Sequence, residues 1–283
     1  MKNILLPTDF SENSWNAIKY AIRFFETWTC HFHLLHVDRL SYMVAGDIPY
    51  TATENVIEEV YTKPAKMRLR KILKQISKTF PDHKKHKFYT HTDYNFFIES
   101  IKNFVDEKEI DCIVMGTKGA SGLSQYLIGT NTNDVIKKIK CTLLAVPENA
   151  DFKKINEIAL PTDFLSGSDP EILEFIAKIL KRYKASLRIV HVNKKRAELN
   201  KEQQINKNIL EAYFGKYEHS FHFLTNNKIE EGIQCFIDSR DINMIFMVAK
   251  NLNYFQQILF HSNVEDLSYH LEIPFFVLHE KNK

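Results

Sequence analysis

Ile4-Leu5-Leu6-Pro7-Thr8-Asp9-Phe10 returns later in the chain as Ile158-Ala159-Leu160-Pro161-Thr162-Asp163-Phe164. Four further blocks return in the same order. Leu35-His36-Val37-Asp38 matches Val190-His191-Val192-Asn193, and Met115-Gly116-Thr117-Lys118 matches Met247-Val248-Ala249-Lys250. Asn133-Asp134-Val135 matches Glu265-Asp266-Leu267, and Thr142 to Glu148 matches Pro274 to Glu280. Five blocks in one order identify an internal duplication, which sets the fold before any single element does. The offset is 154 residues at the first block and 132 at the fourth, so the second copy is 22 residues shorter in its middle. The polar run around Asn149 to Lys154 divides the copies, giving domains 1–150 and 151–283.

Each copy alternates apolar strand-like runs with segments of helical spacing. In the first copy, strands are expected at Asn3 to Thr8, His31 to Val37, Lys87 to His91, Cys112 to Met115 and Thr142 to Val146. Helices are expected at Asn13 to Phe25 behind an N-cap at Ser11, in a basic segment through Ile76, at Tyr94 to Val105, and from Thr130. The second copy repeats the order: strands at Glu157 to Thr162, Ser186 to Val192, Phe221 to Leu224, Met244 to Val248 and Pro274 to Leu278. Its helices are expected at Pro170 to Tyr183, around Gln203 to Tyr217, at Ile229 to Ser239 and at Ser262 to His270. Strand–helix alternation implies an α/β fold, here two tandem doubly wound domains, each a parallel sheet flanked by helices. Ligands of such sheets bind at the carboxyl ends of the strands, where strand order reverses. Both Leu-Pro-Thr-Asp turns and the glycines after Met115 belong to that edge.

The chemistry is concentrated in MGTKGASGLSQYLIGTNT, Met115 to Thr132. Gly116 and Gly119 are separated by two residues, nine lie between Gly119 and Gly129, and Thr130 follows. Glycines let a backbone approach a ligand closely. Gly129-Thr130 stands where a helix begins, and a helix N-terminus presents unpaired N–H groups to phosphate. In the second copy Val248, Asn251 and His261 replace the three glycines and Ser262 replaces Thr130. Those side chains obstruct phosphates, so that copy reads as degenerate for nucleotide.

Gly-x2-Gly-x9-Gly-Thr, together with the Leu-Pro-Thr-Asp-Phe-Ser start and Leu35-His36-Val37-Asp38, resembles the universal stress protein family in its tandem two-domain form. The resemblance covers nearly the whole chain. It implies five parallel strands per domain, an adenine nucleotide alpha hydrolase-like fold, and frequent dimerisation. It also implies ATP, with Mg2+, as the ligand. Carried over by position, Pro7, Thr8 and Asp9 border the adenosine, and Val37 meets the base through its backbone. Met115, Gly116, Gly119, Gly129, Thr130, Asn131 and Thr132 line the ribose and phosphates. The family commonly has a small apolar residue where this chain has Asn131. The family's dimer pairing of last strands implies an internal pseudo-dimer through Thr142 to Val146 and Pro274 to Leu278, and leaves a homodimer open.

Several classes are set aside. A net charge of +3 gives no basic stripe for nucleic acid. No run approaches the roughly 20 apolar residues of a membrane span, and the N-terminus lacks a signal-peptide core. Cys30, Cys112, Cys141 and Cys235 form no CxxC pair, which fits free thiols in a cytoplasmic protein. His31 and His33 share a strand face without an evident third metal ligand, and His36 and His191 read as structural. Lys84-Lys85-His86-Lys87 reads as a solvated loop. Asp9 suits a turn or helix cap as well as a ligand contact. Three functions remain: an ATP-responsive regulatory protein, a scaffold of the same fold without nucleotide, and an adenylating enzyme. The last is weakest, because the chain has no SGGxDS, HIGH, KMSKS or GxxxxGK[ST] signature. No dedicated catalysis is expected, and slow ATP hydrolysis stays open.

Overall fold

The computed structural model describes residues 1–39, 57–82, 84–117, 129–165, 169–194, 198–249 and 272–279. The chain separates into two compact units, one ending at Glu148 and the other beginning at Asn149.

In the first unit, β1 (Lys2–Pro7) is followed by α1 (Glu12–Phe24) and β2 (Cys30–Arg39). Then come α2 (Lys63–Thr79), β3 (His86–Asn95), α3 (Phe97–Glu107), β4 (Cys112–Gly116), α4 (Thr130–Lys138) and β5 (Leu143–Val146). A π-helical turn, Glu58–Thr62, leads into α2. The strand order is β3-β2-β1-β4-β5, with all the pairings parallel. The chain moves outward from β1 through β2 to β3, then crosses back to β4. Strand order therefore reverses between β1 and β4, and this places the crevice.

Local chemistry explains the element ends. Ser11 caps α1, its hydroxyl accepting from Ser14 N. Helix α1 turns Ala17, Ile18, Ala21 and Ile22 inward, as their spacing predicts. The sheet buries continuous runs such as Ile4-Leu5-Leu6 and Leu143-Leu144-Ala145-Val146, the mark of a parallel sheet covered on both faces.

The second unit repeats the plan. It comprises β6 (Glu157–Pro161), α5 (Pro170–Tyr183), β7 (Ser186–Asn193), α6 (Lys201–Phe214) and β8 (His219–Thr225). It continues through α7 (Ile229–Ser239), β9 (Met244–Val248) and β10 (Phe275–Leu278). Its order is β8-β7-β6-β9-β10, again parallel. The expected helix at Ser262 to His270 lies outside the described residues.

Among the boundaries that differ from the sequence reading, two have a clear local cause. Tyr94 and Asn95, expected in a helix, extend β3, because they pair with Asp38 and Arg39 of an equally long β2. Tyr94 also packs on Tyr61, with ring centroids 4.8 Å apart, so tertiary contact overrides local spacing. Helix α6 starts at Lys201 rather than Gln203, because Asn200 and Gln203 form a reciprocal capping box, and Gly215 follows its last turn.

Candidate functional site

The two Thr-Asp-Phe turns are built alike, atom by atom. Thr8 N donates to Leu35 O at 2.9 Å, and Thr162 N to Val190 O at 2.9 Å. Thr8 Oγ1 accepts from Phe10 N at 3.0 Å, and Thr162 Oγ1 from Phe164 N at 2.9 Å. His36 Nδ1 donates to Thr8 O at 2.7 Å, and His191 Nδ1 to Thr162 O at 2.8 Å. Each Nε2 faces a side chain two residues on, Asp38 in one unit and Asn193 in the other. Phe10 and Phe164 take positive φ values of 65° and 58°. A bulky residue rarely occupies that region, so the turn holds both rings against intrinsic preference. The structural role expected for His36 and His191 is thus a specific one: each clamps its turn.

In the first unit this turn shares one edge of the sheet with other expected ligand residues. Pro7 ends β1 with Thr8 directly after it, and Met115 and Gly116 end β4, its neighbour across the reversal point. Val37 lies half-buried near the end of β2. Asp9 is exposed, with Oδ1 accepting from Ser11 N at 3.0 Å and Ser11 Oγ at 2.6 Å. It closes the turn into α1 and stands at the crevice rim.

The start of α4 comes to the same edge. Gly129 is its N-cap, with φ −59° and ψ 151°, and provides no side-chain cap. Gly129 N donates to Thr117 O at 2.5 Å, and Thr117 N donates to Val146 O at 3.0 Å. Thr132 is buried, and its hydroxyl donates to Gly116 O at 2.8 Å. Thr132 therefore anchors α4 to β4 by its side chain, while Thr130 is exposed and Asn131 half-buried at the first turn. Gly119 and Lys118 lie outside the described residues.

Sequence reasoning missed Asn13. A Cβ at Gly116 would lie 2.4 Å from Asn13 Nδ2 and 2.6 Å from its Cγ. Asn13 is only 5% exposed. Glycine at 116 is thus demanded by the protein's own packing. The signal lay in the chain, three residues after Phe10, but its contact with β4 is non-local. Arg68 was missed too. Its guanidinium stacks over Phe10 at 3.9 Å, a cation–π contact that covers the turn from α2.

The second unit packs its turn differently. Phe164 is fully buried, where Phe10 is only partly so, and packs on His191, Phe221 and Phe223. Gln203 Nε2 donates to Asp163 O at 2.9 Å, and Asn206 Nδ2 donates to Phe164 O at 2.7 Å. Val248 follows Met247 where Gly116 follows Met115, and Ala249 N donates to Leu278 O as Thr117 N does to Val146 O. Asn251, His261 and Ser262 lie outside the described residues.

The universal stress protein family model matches residues 1–147. The chain belongs to the universal stress protein family. Two universal stress proteins of Methanocaldococcus jannaschii, MJ0531 and MJ0577, are each 29% identical to it. Each alignment spans 51% of this chain, with 81% of MJ0531 and 94% of MJ0577 covered. A universal stress protein of Archaeoglobus fulgidus has the same fold across 98% of both chains, with a TM-score of 0.70 and 17% identity. That length match fits the tandem arrangement. Among the described residues, no cluster of three or more His, Cys, Asp or Glu side chains could hold a metal ion, and no helix is long and apolar enough to cross a membrane.

Proposed function

We propose that this universal stress protein binds ATP in its first unit and responds to it as a regulatory protein. One observation carries the reading: the N-terminus of α4, capped by a glycine, is tied to Gly116 at the end of β4, the neighbour of β1 across the strand-order reversal. The chain's residues fit a nucleotide there. First-turn amides of α4 suit phosphate, and the exposed Thr130 hydroxyl adds a donor. Pro7, Thr8, Asp9 and Val37 form the opposite wall, suited to adenosine, and Mg2+ would accompany the phosphates. Helix α4 ends in Lys137 and Lys138, so its basic residues oppose the dipole's negative end and leave the amide end to the ligand.

The second unit acts in this proposal as a packed module without nucleotide. Phe164 fills the space beneath its turn, and Gln203 and Asn206 bind the turn's carbonyls.

The test is a thermal shift with Mg-ATP on wild type and Gly129→Val. At about 100 times its Kd, a ligand adds roughly 2.7 kcal/mol. That corresponds to about 5–11 °C for a unit of this size. The shift is expected in wild type and absent in Gly129→Val. No shift in wild type, with no nucleotide released from freshly denatured protein, overturns the proposal.

A further inference from the structure

His33 of β2 and His91 of β3 lie side by side on the sheet face covered by α3. Nδ1 of His33 is 3.1 Å from Nε2 of His91, and the rings stack at 5.3 Å. His91 is packed under Phe104 of α3, at 4.9 Å between centroids. His33 is 7% exposed, and its Nε2 is buried with no hydrogen-bond partner among the described residues. One neutral ring donates to the other across the 3.1 Å contact. A single extra proton turns that contact into an imidazolium–imidazole bond, and a second proton leaves two donors facing each other.

The second unit supplies an internal comparison. Register places His91 opposite Leu35 and His222 opposite Val190, so His222 is the counterpart of His91 and Arg188 that of His33. His222 packs on Phe236 of α7 at 4.8 Å, as His91 packs on Phe104. Arg188, however, is a permanent cation with a built partner set. Its Nε and one terminal nitrogen donate to Glu157 at 2.6 and 3.0 Å, and the other terminal nitrogen donates to Ser220 Oγ at 3.0 Å. The first unit has Asn3 where Glu157 stands, so the carboxylate that would hold a charged His33 is replaced by a neutral amide.

We propose that the His33–His91 pair is an acid-released latch holding α3 on β2 and β3, present in the first unit, whereas the second unit keeps a single histidine, His222, under α7 beside the Arg188–Glu157 ion pair. Outside the pair's own bond, the surroundings disfavour protonation. From β2 comes His31, from β3 Tyr89, whose ring stacks on His33 at 5.2 Å, and from the end of α3 Lys108. Asp93, next on that face of β3, is engaged by Ser100 Oγ of α3 at 2.6 Å. Beside His33 in β1 stands the apolar Leu5. Burial, then His91, His31 and Lys108, hold His33 down to about 4, and burial followed by Lys108 lowers His91.

The sign follows. A histidine kept neutral when closed and protonated when open favours opening as pH falls below the ordinary value of about 6.5. The effect continues down to about 4 for His33. Each such proton raises the open population by up to about tenfold per pH unit, so the pair gives at most about a hundredfold per pH unit.

Hydrogen exchange on the full chain from about pH 7 to about pH 4.5, corrected for the intrinsic rate, reads this directly. Amides of α3 are expected to lose protection at least tenfold more than those of α7. In the double variant His33→Leu/His91→Leu that excess of α3 over α7 is expected to disappear. A second measurement, NMR titration of the imidazoles in wild type, is expected to find both below the ordinary histidine range. Parallel loss of protection in α3 and α7 of wild type overturns the latch. So does titration of His33 and His91 in the ordinary range or above it.

Discussion

Replacing Gly116 with alanine separates packing from ligand binding at the most conspicuous glycine of the site. The new Cβ would lie 2.4–2.7 Å from three atoms of the Asn13 amide. Asn13 is 5% exposed, so its side chain has little room to move. Overpacking of this kind costs about 1–3 kcal/mol. For a unit of roughly 150 residues that lowers Tm by about 2–12 °C. Asn13→Ala alone costs about 1–3 kcal/mol, because it removes a buried side chain packed against Gly116. In Asn13→Ala/Gly116→Ala the clash is gone, so the double variant is expected to lose at least about 1 kcal/mol less than the sum of the singles. Urea unfolding of nucleotide-stripped protein at constant m measures all three. Additivity within about 0.5 kcal/mol would refute the argument that Asn13 dictates Gly116, and would return that glycine wholly to the ligand.

Other consequences are independent of this one. Phe164→Ala is expected to cost about 3–5 kcal/mol, and Phe10→Ala clearly less, because only Phe164 is fully buried; differential unfolding of the two units reports it. Lys184 ends α5 at φ 53°, so Lys184→Gly is expected to stabilise the second unit by up to about 1 kcal/mol in a urea titration. Burial pushes the Cys30 thiol up to about 12 and raises that of Cys112, while Cys235 is exposed. An aromatic disulfide reagent near pH 8 is therefore expected to find one fast thiol in native protein and four after unfolding. Arg188→Met is expected to cost about 1.5–3 kcal/mol through the lost bonds to Glu157 and Ser220, with partial recovery in Arg188→Met/Glu157→Gln.

The duplication was readable because its blocks sit where the fold tolerates least change. Thr8 and Thr162, with His36 and His191, form one hydrogen-bonded turn in duplicate, and that geometry preserves the letters. Strand identities were equally plain, because a buried parallel strand such as Leu143–Val146 is apolar throughout. Boundaries failed where partners decide them. Tyr94 has helical neighbours in sequence, but its place is fixed by Asp38 and Tyr61. The glycine pattern located the crevice, yet the reason for Gly116 lay in Asn13, more than a hundred residues earlier. The His33–His91 contact was hidden for the same reason: His33 was visible as a strand-face histidine, and its partner lies on another strand.

The central claim is that one unit binds ATP and the other has closed. Isothermal titration of nucleotide-stripped full-length protein with Mg-ATP measures the number of sites per chain. The account predicts one site in wild type and none in Gly129→Val. Two sites in wild type, or one that survives Gly129→Val, would contradict it.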